Sequence, residues 1–296
     1  MQIETVGVIG TGDMGSAVGR TLTDEGHRVI TDLSGRSQHS VDLARCAGIE
    51  DVKSLERVIE EADLLLSILP PTEAINFAER VAELIRLKSS SLVYADCNAV
   101  SPKTVLKIEQ FFSALGIEFL DVGIVGAAPR KGNVATRFYV SGQQIGALEK
   151  LNNSKIRVIN MGTEIGKASA LKAAYAGLNK GTQALHATVL LAAERLGVRQ
   201  MLMRELEESQ QQAEVRMKQE VPYLAATAVR FAGEMKEIAS TYESVGVTGK
   251  IHEGAAWLFE GLAETPLSSE TRATLDRSRS LDEAIDIFTR FINKKS

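Results

Sequence analysis

Two spacings in this sequence could do chemistry. The first is Val6-Gly7-Val8-Ile9-Gly10-Thr11-Gly12-Asp13-Met14-Gly15, a G-x-G-x-x-G arrangement behind an apolar run and ahead of a helical pattern. In that setting Gly10 permits a tight turn, Gly12 lets backbone approach a pyrophosphate, and Gly15 lets helix and strand pack closely. The following helix offers N–H groups and partial positive charge to phosphate. Gly10, Thr11, Gly12, Asp13, Met14 and Gly15 are therefore expected to hold a dinucleotide, with a nicotinamide cofactor the natural choice. The second spacing lies in Ala168–Leu196, a proline-free stretch rich in Ala and Leu. Lys172, Tyr175, Asn179, Gln183 and His186 recur there at three- and four-residue steps and so share one helix face. Surface stripes usually carry Glu, Lys and Arg. A stripe of Tyr, Asn, Gln and His suits a cleft between domains, with simple exposure to water as the alternative.

These residues need elements to hold them. Thr5–Ile9, Arg28–Asp32, Leu64–Leu69, Leu92–Ala95 and Glu118–Val122 read as strands, separated by helical segments such as Met14–Glu25. Strands spaced by helices imply crossover connections and a parallel sheet covered on both faces. Arg137–Ser141 and Arg157–Ile159 read as later strands that could run antiparallel. The texture changes near Gly166, beyond which the patterns are helical. Ala168–Leu196 would make a helix of about 40 Å at 1.5 Å per residue, a length that suits one spanning a domain boundary. Met201–Glu220, Pro222–Val245, Gly254–Glu264 and Leu281–Asn293 follow as further helices. The expected organisation is a doubly wound α/β domain over residues 1–164 and an all-α domain over residues 165–296, led by the long interdomain helix.

Composition excludes several alternatives. The 296 residues are 44% hydrophobic and 24% charged, with a net charge of -4, an ordinary globular balance. No basic run suggests nucleic acid, and no apolar run approaches the ~20 residues of a membrane span. The first strand begins by Thr5, which leaves no room for a secretory signal. Cys46 and Cys97 make no disulfide framework, and the four histidines have no metal-ligand spacing. A metal-free protein of a reducing cytoplasm, acting on a small molecule, is expected.

The ribose end is less regular. Asp32 closes the second strand, but counting from Gly10 puts the usual acidic position on Leu33. A one-residue offset aims Asp32 at the other face of the sheet. Ser34, Arg36 and Ser37 follow, a hydroxyl-and-guanidinium loop that suits a 2′-phosphate. NADP is therefore preferred, with NAD the alternative. Further along, Asn98 falls where open parallel sheets bind ligands, either as a substrate contact or as a turn former. Ser101 before Pro102 reads as a helix cap. His252 could close a cleft or pack structurally. Arg130 and Lys131 could hold an anionic group or be solvated loop charges.

Gly-Thr-Gly-Asp-Met-Gly, with Met14 before the last glycine, resembles the β-hydroxyacid dehydrogenase superfamily, which includes 3-hydroxyisobutyrate and 6-phosphogluconate dehydrogenases. Ser67-Ile-Leu-Pro-Pro71 resembles the loop that borders the nicotinamide in that family, which implies cofactor contacts at Leu69 and Pro70. Asp96-Cys-Asn-Ala-Val-Ser-Pro102 resembles the family's D-x-[ST]-x-x-S-P element. Asp121-Val-Gly-Ile-Val-Gly126 stands at its substrate loop, and Gly162–Lys172 at the approach to its catalytic lysine. Thr31–Ser37, Lys172–Gly181 and Ile251–Ala256 bring the sequence closest to a branch that joins such a cofactor domain to a C-terminal domain of unknown function. The resemblance implies a Rossmann-type N-terminal domain, an all-helical second domain, a homodimer, and hydride transfer on a small hydroxy acid. Lys172 would be the general acid/base, tuned toward neutrality by burial. Backbone near Val125 and Gly126, with Asn98, Tyr175, Asn179 and His252, would hold the substrate. Two departures point to a substrate other than 3-hydroxyisobutyrate: Val125 stands where the family has Ser, and Ala176 where it has Asn. An imine reductase of the same architecture and a non-catalytic cofactor sensor are the competing readings.

Overall fold

The computed structural model describes residues 2–88, 92–130, 134–271 and 274–292. Lys131 and Asn293 lie outside the described residues. The chain divides into two compact units, Met1–Ala173 and Ala174–Ser296.

Among the described residues the first unit is built on eight strands: β1 (Thr5–Ile9), β2 (Arg28–Thr31), β3 (Glu50–Asp51), β4 (Leu64–Ser67), β5 (Val93–Asp96), β6 (Phe119–Val125), β7 (Thr136–Gly142) and β8 (Ile156–Asn160). Helices α1 (Asp13–Asp24), α2 (Gln38–Cys46), α3 (Leu55–Glu61), α4 (Ala74–Lys88), α5 (Pro102–Ser113) and α6 (Ile145–Glu149) connect them. The strand order is β3-β2-β1-β4-β5-β6-β7-β8. The strands from β3 to β6 pair in parallel; β7 is antiparallel to β6 and parallel to β8. The expected Rossmann-type α/β unit is therefore present, and its two late strands run against the rest. The order reverses between β1 and β4, the switch point where such sheets bind ligands at their carboxyl ends.

Side-chain alternation covers both faces. Val6, Val8, Leu64, Leu66, Val93, Ala95, Leu120 and Val122 enter one core. Ile9, Ile30, Leu65, Tyr94 and Phe119 enter the other, where Tyr94 stacks on Phe112 with ring centres 4.2 Å apart. The two-residue β3 has no apolar run to announce it, because an edge strand exposes one flank. Strand β6 runs three residues past the expected Val122 because β7 pairs with it as far as Val125↔Arg137.

In the second unit the long helix α7 runs Lys167–Arg195, so its first turns belong to the first unit and the rest to the second. The patterned stretch Met201–Glu220 breaks at Gln210 (φ -143°, ψ 51°) into α8 (Arg199–Ser209) and α9 (Gln211–Glu220). Pro222 starts a 3-10 segment, Val221–Thr227, ahead of α10 (Ala228–Glu243). Proline lacks the N–H a helix interior needs, so it sits in the first turn. Helix α11 (Lys250–Ala263) begins four residues before the expected Gly254, and α12 covers Leu281–Ile292. Phe231 and Phe259 meet edge-on between α10 and α11. Among the described residues no helix is long and apolar enough to cross a membrane, and no group of three or more His, Cys, Asp or Glu could hold a metal ion.

Candidate active site at the carboxyl ends of the strands

The glycine loop separates packing needs from ligand needs. Gly10 has φ 98°, and a Cβ there would lie 2.2 Å from the Ile68 carbonyl oxygen. A Cβ on Gly15 would lie 1.9 Å from the Gly10 oxygen. Both glycines are required by the fold itself. Gly12 is different: its φ of -73° suits any residue, and a Cβ would meet nothing within 4 Å. The protein leaves that space open, beside a helix N-terminus with no side-chain cap. Unfilled space at an uncapped helix start fits a pyrophosphate. The neighbouring side chains hold the loop: Thr11 donates to the Ser40 carbonyl at 3.1 Å, Asp13 pairs with Arg130 at 3.2 Å, and Met14 packs on the core.

Beyond β2 lies a pocket of about 390 Å³, whose lining includes Asp32, Ser34, Arg36, Glu73, Asn76 and Arg80. Asp32 thus borders the pocket, against the sequence expectation that it would face away. Leu33 is the residue that packs on the opposite core. Register is set by pairing, Val6↔Val29 and Gly7↔Ile30, not by distance along the chain from Gly10, and the pocket opens on the Asp32 side. The Asp32 carboxylate accepts from the Ser34 N–H at 2.9 Å, and Arg36 stands 3.6 Å from Glu73. Ser37 instead caps α2 by accepting from Ser40 N–H at 3.3 Å. Glu73, Asn76 and Arg80 were not foreseen, because they come from the segment after β4 and share no motif with the β2 loop.

The strand ends form a polar row. Ser67, Asp96, Asp121 and Ser141 are consecutive lateral partners across β4, β5, β6 and β7. Asp121 is fully buried and acts as a cap for α7. Its carboxylate accepts from the backbone N–H of Gly166 (2.9 Å) and Ser169 (3.1 Å), and from the hydroxyls of Ser169 (2.6 Å) and Ser141 (3.2 Å). Burial still pushes its pKa upward, with those bonds pulling it back. Gly123, two residues on, lets α7 close on the sheet: a Cβ there would lie 2.6 Å from the Ala168 oxygen and 3.2 Å from Lys172 Cβ. This close approach fixes Lys172, whose Nζ donates to the Cys97 carbonyl at 3.2 Å.

Asp96 ends β5 and is buried, and burial raises its pKa to about 7 despite hydrogen bonds from Asn98. Its oxygens accept from Asn98 N–H at 3.0 Å and Asn98 Nδ2 at 2.9 Å. The Asn98 amide oxygen in turn accepts from Leu69 N–H at 2.6 Å. At 2% exposure, Asn98 holds backbone in place. Pro70 is exposed beside the buried Leu69. Ser101 caps α5 by accepting from Thr104 N–H at 3.2 Å, with Pro102 in the first turn, as expected.

Val125 is buried and Gly126 is exposed with φ 112°. In the second unit, Tyr175 is exposed and Asn179 half-buried. His186 is buried, so the stripe does not simply face water. His252 is buried too, stacked edge-on against Tyr242, with Nε2 3.0 Å from where a Gly177 Cβ would stand. That places His252 in helix packing. Asp96 and Asp121 stand within the two motifs quoted above, and their capping roles emerge only from the fold. The available signal was a carboxylate in each of two consecutive apolar strands, at the end of β5 and within β6.

The comparisons agree with this geometry. The sequence matches the NAD binding domain of 6-phosphogluconate dehydrogenase over residues 5–154 and a domain of unknown function over residues 193–262. The chain belongs to the β-hydroxyacid dehydrogenase superfamily, in the branch that joins these two domains. An uncharacterised 28.5 kDa protein of Methanothermus fervidus is 26% identical over 205 residues, 69% of this chain and 77% of that protein. A solved protein of unknown function, described as structurally similar to 3-hydroxyacid dehydrogenases, has a TM-score of 0.66 at 26% identity, over 87% of this chain and 97% of its own. The 3-hydroxyisobutyrate dehydrogenase of Mycobacterium tuberculosis, solved with L-serine, reaches 0.67 at 18% identity over 96% and 99%. That last likeness is one of fold.

Proposed function

We propose that this chain is an NAD(P)-dependent oxidoreductase that oxidises the CH–OH group of a small hydroxy acid, or reduces the matching carbonyl. The observation that carries this reading is Lys172. It is seated by the Gly123 close approach and donates to Cys97 O, at the sheet end where the glycine loop also lies. When bound, the cofactor supplies or accepts the hydride. Lys172 Nζ exchanges the proton with the substrate oxygen, a role typically worth about 10²- to 10⁴-fold in rate. Backbone N–H groups around Val125 and Gly126 take the substrate carboxylate, in place of the hydroxyl that Val125 lacks.

NADP is the proposed preference, because Ser34, Arg36 and Arg80 share the pocket beyond β2 and a guanidinium grips phosphate well. A homodimer through the helical unit is also proposed. Leu178 and Leu185, seven residues apart on α7, are 70% and 60% exposed, and Trp257 is 55% exposed.

The test is a screen of β-hydroxy acids, sugar acids and cyclic imines with both cofactors, followed by absorbance of the reduced nicotinamide. Turnover of a hydroxy acid that Lys172→Ala abolishes supports the reading. Turnover unchanged by Lys172→Ala ends it, and reduction of a cyclic imine alone moves the activity to the imine reductases.

A further inference from the structure

One carboxylate ties together two parts of the site that the sequence keeps far apart. Asp96 closes β5, and its two oxygens accept both donors of Asn98, the backbone N–H and Nδ2. That pair of bonds folds residues 96–98 into one fixed turn. The turn has two outward consequences. Its Cys97 carbonyl accepts from Lys172 Nζ at 3.2 Å. Its Asn98 amide oxygen accepts from Leu69 N–H at 2.6 Å, at the start of the Leu69–Pro70 segment after β4. Ser67 joins the same cluster, accepting from Asn98 Nδ2 at 3.1 Å while its carbonyl accepts from Cys97 N–H at 2.9 Å.

We propose that Asp96 is a positioning residue that sets Lys172 and the Leu69–Pro70 segment together, through the turn at Cys97 and Asn98. The proposal rests on the reading of Lys172 as the proton-exchanging group. The geometry requires two accepting oxygens at position 96, which a carboxyl group offers and an amide does not. Both donors that meet it come from Asn98, so an amide of the same shape must turn its NH₂ toward one of them. Two donors then face each other in a buried place, and one loses its partner. Asp96→Asn therefore breaks the turn without changing its volume.

Exchanging the two residues restores the pattern. In Asp96→Asn/Asn98→Asp the amide oxygen at position 96 accepts the N–H of residue 98. Its NH₂ donates to the carboxylate at position 98, whose other oxygen accepts Leu69 N–H.

The experiment uses the full chain and three readouts: hydrogen exchange at the Leu69 amide, the rate of reductive methylation of Lys172 read by peptide mass spectrometry, and NADPH and NADH affinity. Asp96→Asn should speed Leu69 exchange about tenfold, speed Lys172 methylation several-fold, and weaken cofactor binding about tenfold, the size of one lost buried hydrogen bond. The exchanged double variant should recover all three toward the unaltered protein, which a general loss of stability would not do. Three results overturn the proposal: no change in Asp96→Asn, a change at Leu69 without one at Lys172, or a folded double variant as impaired as the single one. Should the variants not fold, the unaltered protein still decides, since a Leu69 amide exchanging at the unprotected rate defeats the proposal. Failure to bind either cofactor would remove the function proposed above, while Leu69 exchange and Lys172 methylation would still judge Asp96.

Discussion

The two units bury charge in different ways. In the first, Asp96 and Asp121 are 1% and 0% exposed, and their hydrogen-bond donors are N–H groups, hydroxyls and an amide. Each carboxylate gathers donors from segments that would otherwise be loose, the turn after β5 in one case and the start of α7 in the other. In the second, Glu234 lies between Lys180 and Arg230, with Lys180 also over the Phe231 ring. Buried His186 and His252 each keep an Nδ1 with no partner among the described residues. The first arrangement organises backbone beside two interior strands of the sheet; the second ties helices to one another. Where buried carboxylates of the sheet collect N–H groups, chemistry is expected, and where they meet cations between helices, stability is expected.

The largest effects should separate those roles. Lys172→Met is expected to lower turnover of the identified substrate by about 10²- to 10⁴-fold while changing the melting temperature little. Glu234→Gln should do the reverse. Removing one partner of a buried ion pair costs about 3 kcal/mol or more, read by denaturant unfolding, with a smaller loss of turnover per folded molecule. If Glu234→Gln destroyed activity in a fully stable protein, the contrast between the units would collapse.

Acidity gives the next test, because the two units should respond with opposite sign. The unfolded chain releases the Asp96 proton near the ordinary 3.8, whereas the folded protein holds it to about 7. Between those values the folded form carries the extra proton, so the first unit loses stability as pH rises, with a limiting slope of about 1.4 kcal/mol per pH unit. His186 and His252 are held below the ordinary 6.5 by burial, His252 with a partial offset from a bond to the Gly177 backbone. There the unfolded chain takes up protons that the folded form refuses. The second unit therefore loses stability as pH falls below about 6.5. Trp257 is the sole tryptophan and lies in the second unit, so its fluorescence follows that unit alone. Hydrogen exchange in β5 and β6 follows the first. Parallel responses to pH in both would contradict the assignment.

The same contrast explains how much was legible in the sequence. The first unit announces itself through local rules: glycines at fixed spacing, apolar strands between helices, Ser101 before Pro102. Those rules act over a few residues, and they marked the main strands of the sheet and the glycine loop; Lys172 stood out through the family resemblance and the polar helix face. What escaped depends on lateral register. Asp96 and Asp121 become neighbours only because β5 and β6 pair as they do. Asp32 borders the pocket because strand pairing, not the number of residues after Gly10, sets its direction. In the second unit the helices were visible, but their partners were not. His252 reads as a reactive side chain until Gly177 and Tyr242 are seen around it, and the break at Gln210 has no glycine or proline to mark it.

The smallest expected effect tests the ribose end, where exposed charges replace buried ones. Arg36 and Glu73 are 31% and 50% exposed, so their pairing is worth at most about 1 kcal/mol. A 2′-phosphate must draw Arg36 away from Glu73, whereas a bare 2′-hydroxyl has no such need. Glu73→Gln should then strengthen NADPH binding by about threefold and leave NADH binding unchanged, an effect within the range of an exposed pair. Arg36→Ala should weaken NADPH binding alone, by fluorescence titration. If both variants bind NADPH like the unaltered protein, neither side chain reads the 2′-phosphate. Asp32, already at the pocket wall, would then be the group that meets the ribose, and NAD the cofactor it selects.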